Sequence, residues 1–188
     1  MLLATTVAEE GEKRHASGML IRDATKDDLP EILAIYNDVL ATSTAIYAIR
    51  PTTLDERSEW FEARVKRGYP ILVAVEEKRV LGFSSFGDWR GAWSGYRHTV
   101  EHSVHVAGDS RGGGIGTKLV EALFPRAAAM NMHVMIGGID AANEGSLRFH
   151  ERLGFQRVAH FKEVGHKFGR WLDLVFVQRF LDEPGSSR

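Results

Sequence analysis

A glycine-rich segment in the second half of the chain has the residue types of an anion-binding loop. Arg111 precedes glycines at 112, 113, 114 and 116, between a β-branched run and an apolar stripe with helical spacing. Glycine permits positive φ and a close approach to a ligand, so the N–H groups from Gly112 to Gly116 can converge on a phosphate at the positive end of a helix. Arg111 adds a delocalised charge with five donors. We therefore expect a phosphate group to bind where a strand passes into a helix.

Two common phosphate-binding motifs do not fit this segment. A P-loop has its lysine directly after the last glycine and before Ser or Thr, whereas the order here is Gly116, Thr117, Lys118. A dinucleotide fingerprint needs a third glycine at the position of Thr117, and no acidic strand end follows at the required distance. The pattern that remains is Arg-x-x-Gly-x-Gly at 111–116. A tight strand-to-helix turn without a ligand would use the same glycines and is the alternative.

The segment before this loop carries a group of ionisable side chains: His98, Glu101, His102 and His105. On a helix they would lie near one another and could hold zinc. The β-branched residues among them favour a strand instead, which sends His102 and His105 to opposite sides. The order Glu-His also fails to match His-Glu-x-x-His. We therefore expect no metal, and a histidine-based metallohydrolase is the least favoured alternative.

A strand over 99–106 gives Glu101 a position that could do acid–base chemistry. One face of that strand carries Thr99, Glu101, Ser103 and His105, and the other carries Val100, His102, Val104 and Val106. A carboxylate on a buried central strand requires a reason. Such a carboxylate could act as a general base, directly or through a water, and burial would raise its pKa toward the working range. The alternative is a glutamate satisfied by a partner in the core.

Composition sets wide limits on the class of protein. The chain has 188 residues, 44% of them hydrophobic, which suits one domain with a sizeable core. A net charge of −1 favours small-molecule partners over nucleic acid or membrane surfaces. The absence of cysteine excludes disulfides, thiolate metal sites and a cysteine acyl-enzyme. The charged N-terminal stretch is neither a signal peptide nor a membrane span. We expect a cytoplasmic protein with one catalytic domain at 19–182, between flexible tails at 1–18 and 183–188.

The hydrophobic pattern predicts the element order β-α-α-β-β-β-α-β-α-β-β, which is typical of an α/β domain with three layers. We expect a mixed, mostly antiparallel sheet with helices on both faces. The expected strands are 19–23, 70–76, 79–86, 99–106, 135–139, 161–165 and 171–180. One helix is expected from Thr25 and a second over 54–67, with Trp60, Phe61 and Val65 on its apolar side. A third follows the glycine-rich loop with Ile115, Leu119 and Leu123 at helical spacing, and a fourth runs from an N-cap at Asn143 to Gly154. Pro125 falls inside the third helix and should kink it.

The Arg-x-x-Gly-x-Gly pattern resembles the coenzyme A pyrophosphate loop of the GNAT superfamily of N-acetyltransferases. The block D-A-A-N-E-G-S-L-R-F-H-E-R-L-G-F at 140–155 is similar to the end of the strand that diverges from the loop-bearing strand in that fold, and to the helix after it. The resemblance implies a GNAT-like domain, with acetyl-CoA as cosubstrate and its pantetheine arm in the gap, paired with the backbone of 104–106. Asn143 would bond the same arm or only cap its helix. The implied contacts are Val104, His105, Val106, Arg111, Gly112, Gly113, Gly114, Ile115, Gly116, Thr117, Asn143 and Ser146.

Several separated blocks narrow the resemblance to the phosphinothricin and methionine sulfoximine N-acetyltransferases. They read I-R-D-A at 21–24, F-G-D-W-R at 86–90, G-Y-R-H-T-V-E-H-S-V-H-V at 95–106, L-R-F-H-E-R-L-G-F at 147–155 and G-H-K-F-G-R-W-L-D-L at 165–174. The similarity spans about residues 19–181. It implies α-N-acetylation of a small amino acid with a tetrahedral phosphorus or sulfur group, a detoxification activity and a homodimer. The stretch 167–171 would complete either the pocket or the dimer interface.

The same resemblance assigns roles to individual residues. Glu101 would be the general base, and His150, where many GNAT enzymes have tyrosine, would assist protonation of the departing thiolate or lie on the helix surface. A guanidinium suits bidentate binding of a carboxylate, so Arg90 is the expected anchor. The implied substrate contacts are Asp88, Trp89, Arg90, Arg97, Thr99, Val100 and Glu101. A GNAT enzyme for another small amine and a coenzyme-binding regulatory module without turnover remain as alternatives.

Overall fold

The computed structural model describes residues 18–181, so the expected tails at 1–18 and 183–188 lie outside the described residues except for Gly18. The order of strands and helices is the predicted one. The strands are β1 (Leu20–Asp23), β2 (Ile71–Glu76), β3 (Arg79–Asp88), β4 (Thr99–Val106), β5 (Val134–Asp140), β6 (Gln156–Lys167) and β7 (Arg170–Phe180). The helices are α1 (Leu29–Thr42), α2 (Leu54–Lys66), α3 (Ile115–Ala129) and α4 (Glu144–Arg152).

All seven strands form one sheet in the order β1-β2-β3-β4-β5-β7-β6. Every neighbouring pair is antiparallel except β4 and β5, which are parallel. The mixed, mostly antiparallel sheet is therefore confirmed. β2 and β3 form the expected hairpin across Glu77 and Lys78, where φ is 48° and 73° as a tight hairpin turn requires.

The parallel pair separates part-way along its length. Thr99, Val100 and Glu101 pair with Val134, Met135 and Ile136, and the pairing ends there. β4 continues to Val106, still paired with β3, and β5 continues to Asp140. A gap therefore opens between β4 and β5 beyond Glu101, and the backbone of 104–106 has no strand partner on the β5 side.

Helices cover both faces of the sheet, as predicted. α3 and α4 pack on one face through a core that includes Leu119, Leu147 and Val100. α1 and α2 pack on the other through Ile32, Phe61 and Phe83. Complete burial of one such side chain contributes about 1.5 to 3 kcal/mol to the stability of the fold. The central strands lie between the two cores and are stabilised from both sides. None of the helices within 18–181 has the length and apolar character to cross a membrane.

Pro125 does lie inside α3. It has no N–H, so the helix lacks one hydrogen bond at that point. The helix begins at Ile115, well away from Pro125, and its N-terminal turn is unaffected.

Candidate active site

The glycine-rich loop leads from β4 into α3 and leaves the N-terminus of that helix uncovered. Gly112 and Gly114 have φ of 87° and 76°, which residues with a side chain rarely adopt. A Cβ atom at Gly112, Gly113 or Gly114 would meet no atom within 4 Å, so the backbone faces open space. Uncovered N–H groups at the positive end of a helix dipole are suited to binding a phosphate.

A cavity of about 540 Å³ extends from this loop along the gap between β4 and β5. Every predicted coenzyme contact except Gly113 lines it, namely Val104, His105, Val106, Arg111, Gly112, Gly114, Ile115, Gly116, Thr117, Asn143 and Ser146. Lining residues that the sequence did not indicate include Ala45, Phe149 and Arg152. A Cβ atom at Gly116 would lie 3.6 Å from the Phe149 ring, so this glycine lets α3 pass close to α4. This cavity, called the coenzyme cavity below after the contacts predicted for it, thus has a wall of β4 backbone, an anion-binding end at the glycine-rich loop and one open side.

Asn143 caps α4 and keeps part of its side chain for other contacts. Its Oδ1 accepts a hydrogen bond of 3.0 Å from the backbone N–H of Ser146. This leaves the side-chain NH₂ group to donate to a ligand. The capping role and the predicted coenzyme contact are therefore compatible.

A second cavity, of about 650 Å³, lies on the α1 and α2 side of β4. Glu101, Ser103 and His105 line it, as their shared face predicts. His105 also lines the coenzyme cavity, and so does Ala45 from the loop between α1 and α2. The two cavities therefore meet beside His105, at the point where β4 and β5 have separated.

Glu101 has the environment of a general base. Burial raises the pKa of this carboxyl group, and the nearby Arg64 charge opposes that rise. Among the described residues it forms no ion pair, and a Cβ atom on Gly138 would lie 3.4 Å from its Oε1. A carboxyl group with a raised pKa binds a proton more readily than an exposed glutamate.

Most of the other predicted substrate contacts do not line the cavity that contains Glu101. The exceptions are Asp88 and Glu101 itself. Val100 is fully buried in the core on the opposite face, and Trp89 packs edge-on against Phe176 at 5.1 Å. Thr99 begins β4 and lies outside the cavity lining. Asp88 accepts hydrogen bonds from Arg67, at 2.6 Å, and from the Tyr69 hydroxyl.

Arg90, the expected anchor, lies apart from Glu101. The chain turns at Arg90, where φ is 49°, and its guanidinium rests 5.3 Å from the Trp93 ring centre and 5.7 Å from that of Tyr96. These cation–π contacts hold it in a separate surface depression. Arg97 lines another depression, where it bonds the Ser94 carbonyl at 3.4 Å. The structure of the single chain therefore does not bring the two predicted cations into the cavity.

Three other arginines line that cavity, Arg50, Arg57 and Arg64, and none of them was among the predicted site residues. Arg57 and Arg64 flank Trp60 on α2, at the i, i+3 and i+7 spacing of one helix face. Burial lowers the pKa of both guanidinium groups. The spacing was the available signal. Trp60, Phe61 and Val65 obscure this signal, because their spacing predicts an apolar side of the helix, although Val65 is exposed in the structure.

His150 is buried beneath the coenzyme cavity and does not line it. The alternative of a helix-surface histidine is therefore wrong. Its Nδ1 donates a 2.8 Å hydrogen bond to the Ser146 carbonyl, and its ring packs 5.1 Å from that of His102. Burial lowers the pKa of His150, so its neutral form, with Nε2 as an acceptor, is favoured. The predicted role in protonating the thiolate stays a prediction.

The segment that raised the zinc alternative is a strand from Thr99 onward, and His98 lies in the turn before it. His102 faces His150 and Phe155, whereas His105 faces Tyr36 and Phe83 on the opposite side of the sheet. Residues 18–181 contain no group of three or more side chains placed to hold a metal ion. The helical arrangement that would bring these histidines together does not form.

Comparison with known proteins identifies the family. The sequence model of the acetyltransferase (GNAT) family matches residues 32–155. This range includes β4, which lines both cavities, and also the glycine-rich loop and α4. The chain belongs to the GNAT family of acetyltransferases. The resemblance seen in the sequence is thus confirmed, and so are the fold class and the assignment of an N-acetyltransferase.

Individual relatives of this GNAT protein agree with the narrower resemblance. A methionine sulfoximine/methionine sulfone acetyltransferase of Pseudomonas paraeruginosa is 51% identical over 168 residues, covering 89% of this chain and 97% of the relative. A phosphinothricin acetyltransferase of Sinorhizobium meliloti, solved with acetyl-CoA, is 34% identical with a TM-score of 0.86, covering 91% and 92% of the two chains. An acetyltransferase of Salmonella typhimurium with its cofactor acetyl-CoA is 45% identical, also with a TM-score of 0.86, covering 90% and 98%.

Proposed function

We propose that this GNAT protein transfers the acetyl group of acetyl-CoA to the α-amino group of a small amino acid of the methionine sulfoximine, methionine sulfone or phosphinothricin type. One observation carries the proposal. A cavity with a half-buried carboxyl group meets, at His105, a second cavity that ends in a glycine-rich helix N-terminus. The names of the relatives support the acceptor class.

The residues present fit acetyl-CoA. The pyrophosphate would lie against the N–H groups of the glycine-rich loop, with Arg111 beside it. The pantetheine amides would pair with the backbone of 104–106, which has no strand partner on that side, and Asn143 would donate to the same arm. When bound, acetyl-CoA supplies an acetyl group activated as a thioester.

The cavity that contains Glu101, called the acceptor cavity below, would hold the amine and provide the group that removes its proton. An α-amine is largely protonated near neutral pH, so it must lose a proton before it attacks. Glu101 takes that proton, the nitrogen lone pair forms the new bond to the acetyl carbon, and the carbon–sulfur bond breaks. The nitrogen then loses its second proton to give the amide, and this balances the proton that the thiolate takes up. Backbone N–H groups of β4 near Val104 would stabilise the negative charge on the carbonyl oxygen. His150 is the proposed relay of that proton to the thiolate, because its neutral Nε2 can accept a proton and then give it up.

Acetyl-CoA-dependent thiol release tests the proposal. The panel of acceptors contains phosphinothricin, methionine sulfoximine, methionine sulfone, common amino acids and a polyamine. Strong turnover of the three tetrahedral analogues is expected. Turnover of the polyamine alone would overturn the acceptor class but keep the acetyltransferase. Binding of acetyl-CoA without turnover of any acceptor would indicate the regulatory module.

We further infer a homodimer in the cytoplasm. The β6–β7 hairpin exposes a set of large apolar side chains: Val158, Phe161, Val164, Phe168 and Trp171. Such a patch on a soluble domain is typical of an association surface. Sedimentation equilibrium should give twice the monomer mass of 21.0 kDa. A monomeric mass at micromolar concentration would overturn the inference.

A further inference from the structure

The acceptor cavity contains two guanidinium groups that have no carboxylate partner. Within 18–181, neither Arg57 nor Arg64 forms an ion pair, and the buried Nε atom of each has no hydrogen-bond partner. Of the other charged groups around the cavity, Arg50 pairs with Glu56 and Asp88 with Arg67, whereas Glu101 is unpaired among the described residues. A desolvated cation without an ion-pair partner is costly. At Arg64 the charges of Asp88 and Glu101 offset only part of that cost, because burial still lowers the pKa of its guanidinium. An anion that enters the cavity from outside would remove that cost.

Arg64 lies directly opposite Glu101. Gly87 pairs with Glu101 across β3 and β4, and side chains at such positions have Cβ atoms about 4.5 to 5.5 Å apart. A Cβ atom on Gly87 would lie 1.4 Å from Nη1 of Arg64, so the guanidinium occupies the space that this side chain would fill. The proposed base and a cation are therefore immediate neighbours. This spacing suits an α-amino acid, in which one carbon separates the amine from the carboxylate.

Arg57 lies two turns nearer the N-terminus of the same helix, and its guanidinium contacts two aromatic rings. Its guanidinium carbon is 4.0 Å from the centre of the Tyr36 ring and 4.7 Å from that of Trp60. Arg57 is only 4% exposed, and it lines the acceptor cavity together with His105, which also lines the coenzyme cavity. Seven residues along a helix correspond to a rise of about 10 Å. An acceptor of glutamate length with a hydrogen bond at each end has about that span.

We propose that Arg64 binds the α-carboxylate of the acceptor and that Arg57 binds the oxygen atoms at the far end of its side chain. This assignment rests on the proposed function and gives the acceptor anchor to α2 instead of Arg90. It defines the substrate class as α-amino acids of glutamate or methionine length with a distal oxyanion or polarised oxygen. Methionine, which lacks the distal oxygen atoms, should be a weaker acceptor than methionine sulfone.

Paired substitutions of protein and acceptor test the two contacts separately. The variants are Arg64→Gln and Arg57→Gln in the full chain, and Lys66→Gln, on the same helix outside the cavity, is the control. The acceptors are L-methionine sulfone, L-methionine and the amine that remains when methionine sulfone loses its carboxylate. In the unsubstituted protein, loss of the carboxylate should lower kcat/KM by at least about 100-fold, and in Arg64→Gln by less than about threefold. Arg57→Gln should remove the preference for the sulfone over methionine.

KM for acetyl-CoA should change less than about threefold in both variants, and Lys66→Gln should match the unsubstituted protein throughout. Arg64→Lys keeps the positive charge but cannot bind a carboxylate in the bidentate way, and it serves as the folded comparison if Arg64→Gln does not fold. In Arg64→Lys the fall in kcat/KM on loss of the acceptor carboxylate should be intermediate. This inference would be overturned if Arg64→Gln kept the full loss of kcat/KM for the acceptor without a carboxylate and Arg57→Gln kept the full preference for the sulfone. The proposed acetyltransferase activity would be unaffected by that result. Absence of turnover in the unsubstituted protein would overturn the proposed function, and with it this assignment.

Discussion

The Nζ atom of Lys167, at the end of β6, donates a 2.6 Å hydrogen bond to the backbone carbonyl of Leu40 in the last turn of α1. The same ammonium group also bonds the carbonyls of Ser43, at 2.9 Å, and Ile46, at 2.6 Å. Its three donors are thus used within the chain, and Lys167 is only 5% exposed. The β6–β7 hairpin therefore holds the loop after α1, whose Ala45 lines both cavities. Lys167 positions this wall without touching either cavity.

Replacing Lys167 with Met should loosen that loop. The substitution leaves three carbonyl groups without their donor, and hydrogen bonds to a charged group are worth about 1.5 to 3 kcal/mol each. Because water can bond some of the freed carbonyl groups, we expect a loss smaller than the sum of the three, about 3 kcal/mol in the free energy of unfolding by urea. KM should rise for both acetyl-CoA and the acceptor. Lys162→Met, an exposed lysine of the same strand, is the control. Equal stability of the two variants would show that the Lys167 contacts are not structural.

Replacing Glu101 with Gln should remove the base and keep the shape of the cavity. We expect kcat to fall by about 100-fold or more, with little change in acetyl-CoA binding by calorimetry. The base acts only when ionised, so activity should fall as the pH drops through the pKa of Glu101, which burial raises above its usual range. The acid limb of kcat/KM attributable to this group should be absent in Glu101→Gln. Unchanged turnover would exclude Glu101 from the proton transfer.

The sequence was most informative where local pattern and tertiary position agree. β4 was predicted to the residue because its alternation between core and cavity faces is local, and the glycine-rich loop because its conformation demands glycine. The arginine that lies nearest to Glu101 could not be predicted in this way. Arg90 and Arg64 are both arginines near aromatic residues, and which of them lies opposite Glu101 depends on how α2 packs over Gly87. That packing has no local signature.

The extent of β6 could not be predicted from the local sequence either. It was expected over 161–165 and extends from Gln156 to Lys167, as an edge strand with irregular register. Glu163 has a φ of 53°, and the pairing with β7 shifts on both sides of Phe161. These irregularities interrupt the period of two from which a strand is recognised.

The coenzyme loop can be tested at Gly114, the N-cap of α3. A residue with a Cβ atom in its left-handed conformation costs about 1 to 2 kcal/mol. Gly114→Ala should therefore distort the loop and raise KM for acetyl-CoA several-fold, with a smaller effect on the KM of the acceptor. Gly95→Ala, where a Cβ atom also meets nothing within 4 Å and φ is not positive, is the control. An unaltered KM for acetyl-CoA in Gly114→Ala would contradict phosphate binding at this turn.

The role of His150 can be separated from its packing. His150→Phe retains the buried ring and removes both nitrogen atoms, so we expect kcat to fall at least about 10-fold while KM for acetyl-CoA changes little. His150→Tyr restores a group that can exchange a proton, as in many GNAT enzymes, and should recover part of the loss. If His150→Phe turns over at the original rate, the imidazole serves the core alone.

His102 should make the protein sensitive to acid. Its two ring nitrogens are buried without a hydrogen-bond partner in the described part of the chain, and burial lowers its pKa from 6.5 to about 3. Between these values the unfolded chain binds a proton that the folded chain does not, so the free energy of unfolding falls as the pH is lowered. For one such group the fall from pH 7 to pH 5 is about 2 kcal/mol. Urea unfolding of the unsubstituted protein and of His102→Leu at both pH values measures it. The variant should lose about 2 kcal/mol less than the unsubstituted protein over this interval, and an equal loss in the two would mean that His102 is not held neutral by the fold.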